Sequence, residues 1–434
     1  MLNRRTFLHS AAAVAGAAGV ATMHPRAFSQ HGPGAPPLPD RDLYTHNEDE
    51  YWKQIRRQYL LPDDTVYLNV GTVGCTPAPV LKAVFDSYVG IEKMEGITDP
   101  ERYPIWGYES YSEFRDPLAK FIGVTRDELA LVRNATEGNS FMANGLDMKP
   151  GDEVLMSDQE HGSGESPWYL RAKRYGIAVK KYEIPKPLNS AAELLSRIND
   201  AITPRTRVLF TSHITTTTGV IQPVKEICAL ARSKGLASMI DGAQVPGMMR
   251  LNISELGCDM YSASPHKWLM APKGTGFLYI RDAMIDRVWS TVTTHGWDKP
   301  ELRAERFQHF GTSNVPVLAG LRAAIELANH IGMDRIEKRN RALNDLLLAE
   351  MLKRGAENWT SQDAAFRCAM VAVNVPPIQI MDIERALWAQ HKIRIRGGAP
   401  YKIRLSTPYW MQKSDIARFL EKFDEFKRSY KTAA

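Results

Sequence analysis

Short apolar runs alternate with longer amphipathic stretches through the middle of the chain. From Glu128 onward these runs have the length of buried strands, and helical patterns near residues 139–146, 168–175, 191–201 and 224–234 separate most of them. The runs are Leu129–Val132, Val154–Ser157, Ile177–Tyr182, Val208–Ser212, Ala237–Asp241 and Met260–Ala263. This alternation predicts an α/β fold with a mainly parallel sheet that helices cover on both faces. In such a sheet, ligands bind beyond the carboxyl ends of the strands.

The pattern changes after about Pro316. Residues 317–330 and 334–354 have the periodicity of long helices, and residues 366–375 alternate as a strand. A second β pair is predicted around Gly397-Gly398, and residues 413–430 have the pattern of a closing amphipathic helix. We therefore predict a large domain over residues 61–315 and a smaller α+β domain over residues 316–434. A linker and N-terminal arm, residues 30–60, would precede them.

The first 29 residues have the pattern of an export signal. Asn3-Arg-Arg-Thr-Phe-Leu8 precedes a weakly apolar segment rich in Ala and Gly, and Ala27-Phe-Ser29 is a cleavage candidate. Adjacent arginines before such a segment are typical of a twin-arginine signal, so we expect the twin-arginine export machinery to deliver the protein to the periplasm. The apolar segment is too short and too rich in glycine to span a bilayer stably. An ordinary signal or a short membrane anchor is the alternative.

The net charge and the cysteine spacing argue against certain partners and certain kinds of site. The 434 residues carry a formal net charge of +6 without a block of Lys or Arg, which argues against a nucleic-acid partner. Cys75, Cys228, Cys258 and Cys368 lie far apart and have no C-x-x-C spacing. Such spacing argues against a metal site and against a disulfide framework. One chance disulfide stays open for an exported protein.

A lysine follows the last of the apolar runs. Lys267 stands between His266 and Trp268, just before the turn Gly274-Thr-Gly276. Burial disfavours the ammonium form, so a lysine in an apolar pocket has a depressed pKa and can attack an aldehyde. Asp241 ends the preceding run, at the same edge of the predicted sheet. A Schiff-base lysine together with an acid that can pair with a pyridinium nitrogen is what pyridoxal 5'-phosphate (PLP) requires of a protein. A surface lysine in a loop is the alternative.

Two motifs carry a family resemblance. Asp241-Gly-Ala-Gln244 followed by Ser264-Pro-His-Lys267 resembles the class V aminotransferase family of PLP enzymes, in its isopenicillin N epimerase-like branch. The resemblance runs from about Tyr67 to about Arg404. It implies PLP as the cofactor and a fold-type-I PLP-dependent enzyme. In that fold, a large, mainly parallel domain of the seven-stranded type binds the cofactor and a smaller α+β domain follows it.

The resemblance also implies roles around the cofactor ring. Lys267 would bond to the cofactor and move the substrate's Cα proton, and Asp241 would pair with the ring nitrogen. His161 would stack on the ring as the third catalytic residue, and Gln244 would hydrogen-bond the phenolic oxygen. Thr218 belongs to Ser212-His-Ile-Thr-Thr-Thr-Thr-Gly219, which is similar to a family motif in which an asparagine stands where this chain has Thr216. That replacement weakens any role taken from that position.

Phosphate contacts are expected where Arg133-Asn-Ala-Thr-Glu-Gly138 precedes a helix, because free N–H groups at a helix N-terminus bind anions. A plain N-cap and the glycan sequon Asn134-Ala-Thr136 are the alternatives there. The phosphate contacts that the resemblance implies are Thr136, Glu137, Gly138, Ser264, His266 and Thr312. Thr312, with Gly311, is similar to a loop that reaches the phosphate of a neighbouring subunit. A homodimer with shared active sites is therefore implied.

A substrate contact is predicted in the C-terminal domain. Lys402-Ile-Arg404-Leu-Ser406 alternates, so that Lys402, Arg404 and Ser406 share one face of a strand. By resemblance, Arg404 binds the substrate carboxylate, for which a guanidinium offers a bidentate fork. Asn69 lies in the segment similar to the one that opens these enzymes and reaches the active site. From the residues alone, a solvated strand face is the alternative.

These features predict an exported PLP enzyme that acts on the amino group or Cα of an amino acid or peptide-like small molecule, as an aminotransferase or epimerase. Tailoring of a siderophore or peptide in the periplasm, as in pyoverdine modification, is the first alternative. A C–S lyase or desulfurase is disfavoured, because desulfurases need a thiol on a loop and Arg396-Gly-Gly-Ala-Pro-Tyr401 contains none. A PLP-binding protein without turnover is the remaining alternative.

Overall fold

The structure, a computed structural model, describes residues 34–95, 110–398 and 400–430. The predicted export signal and the first residues of the predicted linker lie outside these ranges. Among the described residues, no helix has the length and apolar character needed to cross a membrane.

A mixed seven-stranded sheet forms the centre of the large domain, in the spatial order β2-β8-β7-β6-β5-β3-β4. Strand β8 runs antiparallel to its neighbours β2 and β7, and the other neighbouring strands pair in parallel. The fold prediction is confirmed. These strands are β2 (Leu129–Val132), β3 (Glu153–Ser157), β4 (Ala178–Tyr182), β5 (Thr206–Ser212), β6 (Ala237–Asp241), β7 (Met260–Ala263) and β8 (Gly276–Ile280).

Helices precede the sheet and connect its strands. The helices up to β8 are α1 (Leu43–His46), α2 (Glu48–Arg56), α3 (Ala78–Glu92), α4 (Ser112–Ile122), α5 (Ala135–Gly145), α6 (Gly162–Tyr175), α7 (Ala191–Ala201), α8 (Val224–Ser233) and α9 (Ile253–Leu256). Successive side chains of one strand enter different cores: Leu129 and Leu131 pack in one cluster, whereas Ala130 and Val132 pack in another. Because successive strand residues point to opposite faces, both faces of the sheet are covered.

The C-terminal part contains an antiparallel four-stranded sheet in the order β12-β13-β10-β9. Ile403 and Leu405 of its strand β13 are fully buried in a separate apolar cluster, so Lys402 and Arg404 lie on the opposite face. The elements that follow β8 along the chain are α10 (Asp282–Ile285), α11 (Val315–Ile331), α12 (Met333–Lys353), β9 (Glu357–Asn358), β10 (Met370–Asn374), α13 (Ile380–His391), β11 (Ile393–Arg394), β12 (Arg396–Gly398), β13 (Lys402–Ser406) and α14 (Lys413–Ser429). Short 3-10 segments lie at Arg126–Glu128, Pro300–Gln308 and Ala364–Phe366.

Two helices begin earlier than their periodicity predicts, and both extensions bring residues to the carboxyl edge of the sheet. Helix α5 begins at Ala135 because the Asn134 side chain accepts a hydrogen bond from the Glu137 N–H and caps it. Helix α6 begins at Gly162, where His161 is the capping residue, although glycine and proline in its first turns conceal the helical pattern. Strand β10 begins later than predicted, at Met370, because a 3-10 turn occupies residues 364–366.

The N-terminal segment joins the two parts through a short parallel pair. Strand β1 (Val66–Tyr67) pairs with β11, and the chain then turns at residues 69–74. The Gly74 N–H donates to the His266 carbonyl at 2.9 Å, and a Cβ at Gly74 would collide with the Lys267 carbonyl. Glycine therefore lets this turn lie directly against the lysine loop.

Candidate active site

A cavity of about 480 Å³ lies at the carboxyl edge of the seven-stranded sheet, within the usual size range of small-molecule sites. It is lined by the ends of β5 and β6, the loop after β7, the first turns of α5 and α6, and one face of β12 and β13. Residues distant in sequence meet here because parallel strands end at one edge. The predicted site residues that line the cavity are Lys267, Asp241, His161, Gln244, Thr136, Ser264, His266 and Arg404.

Lys267 has an amine of lowered basicity. Burial lowers its pKa from 10.5 to about 8; Asp241 opposes this shift and Arg404 adds to it. The uncharged amine is therefore much more populated near neutral pH than in an ordinary lysine, as a nucleophilic or proton-accepting lysine requires.

Asp241 is fixed as a hydrogen-bond acceptor at the base of the cavity. It is 4% exposed, and its two carboxylate oxygens accept from Asn139 Nδ2 at 2.8 Å and from the Ala243 N–H at 2.9 Å. Asn139 is itself oriented by Ser262 Oγ, which donates to its Oδ1 at 2.6 Å. A carboxylate that accepts from two donors keeps further lone pairs for a ligand. Asn139 was not predicted, although it lies one helical turn after Ala135 at the cavity.

The first turn of α5 meets the loop after β7. The Ala135 N–H donates to Ser264 Oγ at 2.9 Å, and Thr136, Ser264 and His266 line the cavity together. Burial lowers the pKa of His266. A helix N-terminus with two hydroxyl groups and a largely neutral imidazole is a suitable phosphate site.

Some predicted cofactor contacts lie behind the cavity wall. The Glu137 carboxylate pairs with Arg133 at 2.5 Å, and a Cβ at Gly138 would lie 2.5 Å from Ser262 Cβ, so glycine lets α5 approach β7. Thr218 is fully buried and donates to Gln159 Oε1 at 2.7 Å. Glu137, Gly138, Thr218 and Thr312 do not line the cavity of this chain. Glu137 pairs with Arg133, Gly138 packs against β7 and Thr218 bonds to Gln159, so these three residues support the wall of the cavity.

His161 and Gln244 line the cavity, and both form hydrogen bonds to other protein groups. The Nδ1 atom of His161 lies 2.6 Å from Ser163 Oγ, and burial lowers the pKa of this imidazole with a contribution from Lys267. Gln244 Nε2 donates to the Gly71 carbonyl at 2.9 Å, and its Oε1 accepts from Trp268 Nε1 at 2.8 Å. One amide hydrogen of Gln244 stays available for the phenolic oxygen that the sequence predicts.

Arg404 is held rigidly at the opposite wall. Its guanidinium donates to Thr216 Oγ1 at 2.5 Å, to Asn69 Oδ1 at 3.2 Å and to Thr72 Oγ1 at 2.6 Å. Its Nε is buried without an acceptor among the described residues. Burial lowers the pKa of Arg404 to about 10. Asn69, a predicted substrate contact, does not line the cavity but accepts a hydrogen bond from Arg404. Thr216 contacts Arg404 at the position where the family motif has asparagine.

Glu160 is a buried acid that the sequence analysis passed over. Its carboxylate accepts from the Ser212 N–H at 3.1 Å and from Ser212 Oγ at 2.5 Å, and Ser157 Oγ also donates to it. Burial raises its pKa to about 7. Glu160 ties β3 to β5 directly beside His161, so it holds the loop that carries the imidazole.

The donor set fits PLP. The cavity offers an amine for the aldehyde, a buried carboxylate for the ring nitrogen and a helix N-terminus for the phosphate. Arg404 lines the same cavity and donates only to neutral side chains, so a substrate carboxylate is a suitable partner for its charge. Among the described residues, no group of His, Cys, Asp and Glu could hold a metal ion.

Comparison with known proteins identifies the relatives of this chain. The profile of the family "Aminotransferase class-V" matches residues 81–414. An isopenicillin N epimerase from Streptomyces clavuligerus is 28% identical over 396 residues, which cover 86% of this chain and 98% of the relative. A probable cysteine desulfurase from Pyrococcus abyssi (strain GE5 / Orsay) is 27% identical over 80% of this chain and 87% of its own length.

A solved structure has the same fold. It is a C-DES mutant with glycine covalently linked to its PLP cofactor, and it matches with a TM-score of 0.74 and 25% identity over 85% of this chain and 98% of that one. PLP is therefore the cofactor that both the site chemistry and the relatives support. The chain belongs to the aminotransferase class-V family of PLP-dependent enzymes.

Proposed function

We propose that this enzyme removes the Cα proton of an amino acid or peptide-like substrate, in transamination or epimerisation. The observation that carries the proposal is that a lysine with a pKa of about 8 and a buried guanidinium that contacts only neutral side chains line one cavity. The bound cofactor supplies an electron-accepting ring. Arg404 holds the substrate carboxylate, so the Cα–H bond has one orientation relative to the Lys267 amine, which accepts the proton.

Asp241 and His161 serve the cofactor rather than the substrate in this proposal. Asp241, with its fixed donors Asn139 and Ala243, would accept a hydrogen bond from the ring nitrogen and help to keep that nitrogen protonated. His161 would cover one face of the ring; its lowered pKa keeps the imidazole neutral near pH 7. Thr136, Ser264 and His266 would hold the phosphate at the α5 N-terminus.

The positions of the cysteines disfavour sulfur transfer to a protein thiol. Among the described residues, no cysteine lines the cavity. Cys228, Cys258 and Cys368 are buried, and burial raises the pKa of the partly buried Cys75 to about 11. A thiol needs thiolate character to accept sulfur, and burial removes it.

The proposal also includes a homodimer and export. Thr312 does not line the cavity of its own chain, which agrees with the expectation that it serves the phosphate of a neighbouring subunit. The twin-arginine pattern at Arg4-Arg5 supports periplasmic delivery of a folded protein already loaded with its cofactor.

An arginine-to-lysine change tests how the substrate is held. Arg404→Lys keeps the charge but loses the fork, so we expect turnover of α-amino acids to fall by roughly 10- to 100-fold while the absorption of the bound cofactor stays unchanged. Amines without a carboxylate should be far less sensitive. Arg394→Lys is the matched control, because Arg394 lies on β11, which pairs with β1, beside Glu384 and outside the cavity lining. Equal, small losses for both substrate types would contradict the proposal.

A further inference from the structure

The small sheet presents three cations to the cavity. Arg396 of β12 lies opposite Arg404 of β13 in the antiparallel register, and Lys402 lies two residues before Arg404 on the same strand face. Arg396 is exposed, Lys402 is half-buried and Arg404 is 7% exposed. The three side chains therefore extend from the interior of the cavity toward its mouth.

None of these cations has a carboxylate partner within 4.0 Å among residues 34–95, 110–398 and 400–430. Lys402 Nζ lies over the Trp359 ring at 5.8 Å, and Arg404 contacts neutral groups only. The pKa of Arg404 is lowered by burial and then by Arg396; that of Lys402 is lowered by burial and then by Arg404. Grouping like charges costs free energy, so the arrangement is suited to anions that enter from outside.

On the large-sheet side of the cavity, the described residues offer few anions that could compete for these cations. Asp241 is the one acid among the described lining residues, and both of its oxygens already accept hydrogen bonds from Asn139 and Ala243. A single α-carboxylate would occupy Arg404, which leaves Arg396 and Lys402 without a partner. Two residues along a strand separate Cα atoms by about 6.6 Å, so a second anionic group would lie a few bonds beyond the first.

We propose that Arg396 and Lys402 bind a second acidic group of the substrate, which makes the substrate an amino acid or peptide with a distal carboxylate. The inference rests on the proposed function, in which Arg404 holds the α-carboxylate. It adds specificity: the two outer cations select an acidic side chain, and their flexible stems adapt to its length.

Matched ligands test the distal contact on the holoenzyme. L-glutamate and L-glutamine have the same shape and differ in the distal charge, so the change in cofactor absorption on titration with each yields two comparable Kd values. We expect glutamate to bind roughly 10- to 100-fold more tightly than glutamine to the native enzyme. Lys402→Gln and Arg396→Gln should each reduce this ratio several-fold. Arg385→Gln, an exposed change on α13 outside the cavity lining, should preserve the ratio.

The outcomes separate this inference from the proposed function. Equal Kd values for glutamate and glutamine, or a response to L-norleucine with none to glutamate, would overturn the distal site and leave amino-acid chemistry intact. Variants that weaken binding of PLP to the apoenzyme and leave the glutamate-to-glutamine ratio unchanged would assign the two cations to the cofactor phosphate, which also overturns the inference. Absence of a spectral response to every amino acid and to peptides with a free α-amino group would contradict the proposed function itself.

Discussion

The basicity of Lys267 is the property on which the site most depends. With a pKa of about 8, roughly one amine in ten is uncharged at pH 7, whereas at the ordinary value of 10.5 about one in 3,000 would be. The structure thus increases the nucleophilic population by about 300-fold. Capture of PLP by the apoenzyme should follow this population, because only the uncharged amine attacks the aldehyde.

Two substitutions should move the Lys267 pKa in opposite directions. Asp241 raises this pKa and Arg404 lowers it, while burial remains the largest cause. Asp241→Asn should therefore shift the pH midpoint of PLP capture below 8, and Arg404→Gln should shift it above 8, each by up to about one unit. A general loosening of the pocket would raise the midpoint in both variants, so the opposite signs are diagnostic.

The assay is stopped-flow absorbance of PLP capture by the apoenzyme between pH 6 and 10. The rate should rise about tenfold per pH unit below the midpoint and level off above it. Lys273→Ala is the control, because Lys273 Nζ donates to Thr76 Oγ1 at 2.9 Å and does not line the cavity. A native rate that still rises about tenfold per unit up to pH 10, or shifts of the same sign in both variants, would refute the electrostatic reasoning.

Two further predictions concern the support of Asp241 and the route of export. Asn139→Ala removes a buried donor from the Asp241 carboxylate, so we expect the protein to fold and to bind PLP less tightly, by about 1.5–3 kcal/mol. An unchanged Kd for PLP in a fluorescence titration would contradict this role of Asn139. Arg4→Lys with Arg5→Lys should retain the protein in the cytoplasm with its activity intact, as measured by cell fractionation, and periplasmic delivery of the double variant would refute the twin-arginine interpretation.

The sequence predicts the residues that follow strands and misses those that meet across the fold. Asp241 and Lys267 could be placed at one edge because each ends or follows an apolar run, and parallel strands end together. The contacts of Arg404 with Thr216 and Thr72 join residues 188 and 332 positions apart. Local periodicity cannot predict such contacts, because they form only when the two sheets and the N-terminal turn pack together.

The hydrogen bonds and ion pairs that each side chain forms are the other feature that the sequence does not reveal. Glu137 and Thr218 occur in the expected motifs, yet Glu137 pairs with Arg133 and Thr218 bonds to Gln159 behind the wall. A motif places a residue on an element, but rotamers and competing hydrogen bonds decide which way its side chain points. Asn139, whose amide donates to Asp241, comes directly after the predicted motif, and only the structure reveals its role.

The central claim is that Lys267 is the lysine that bonds to PLP, and peptide mapping after borohydride reduction of the holoenzyme tests it most directly. Reduction makes the lysine–cofactor bond permanent, so mass spectrometry of a digest identifies the modified residue. The account predicts one phosphopyridoxyl group, on Lys267, and its loss together with the visible absorption in Lys267→Ala. A phosphopyridoxyl group on Lys273, six residues further along the chain, would contradict the account.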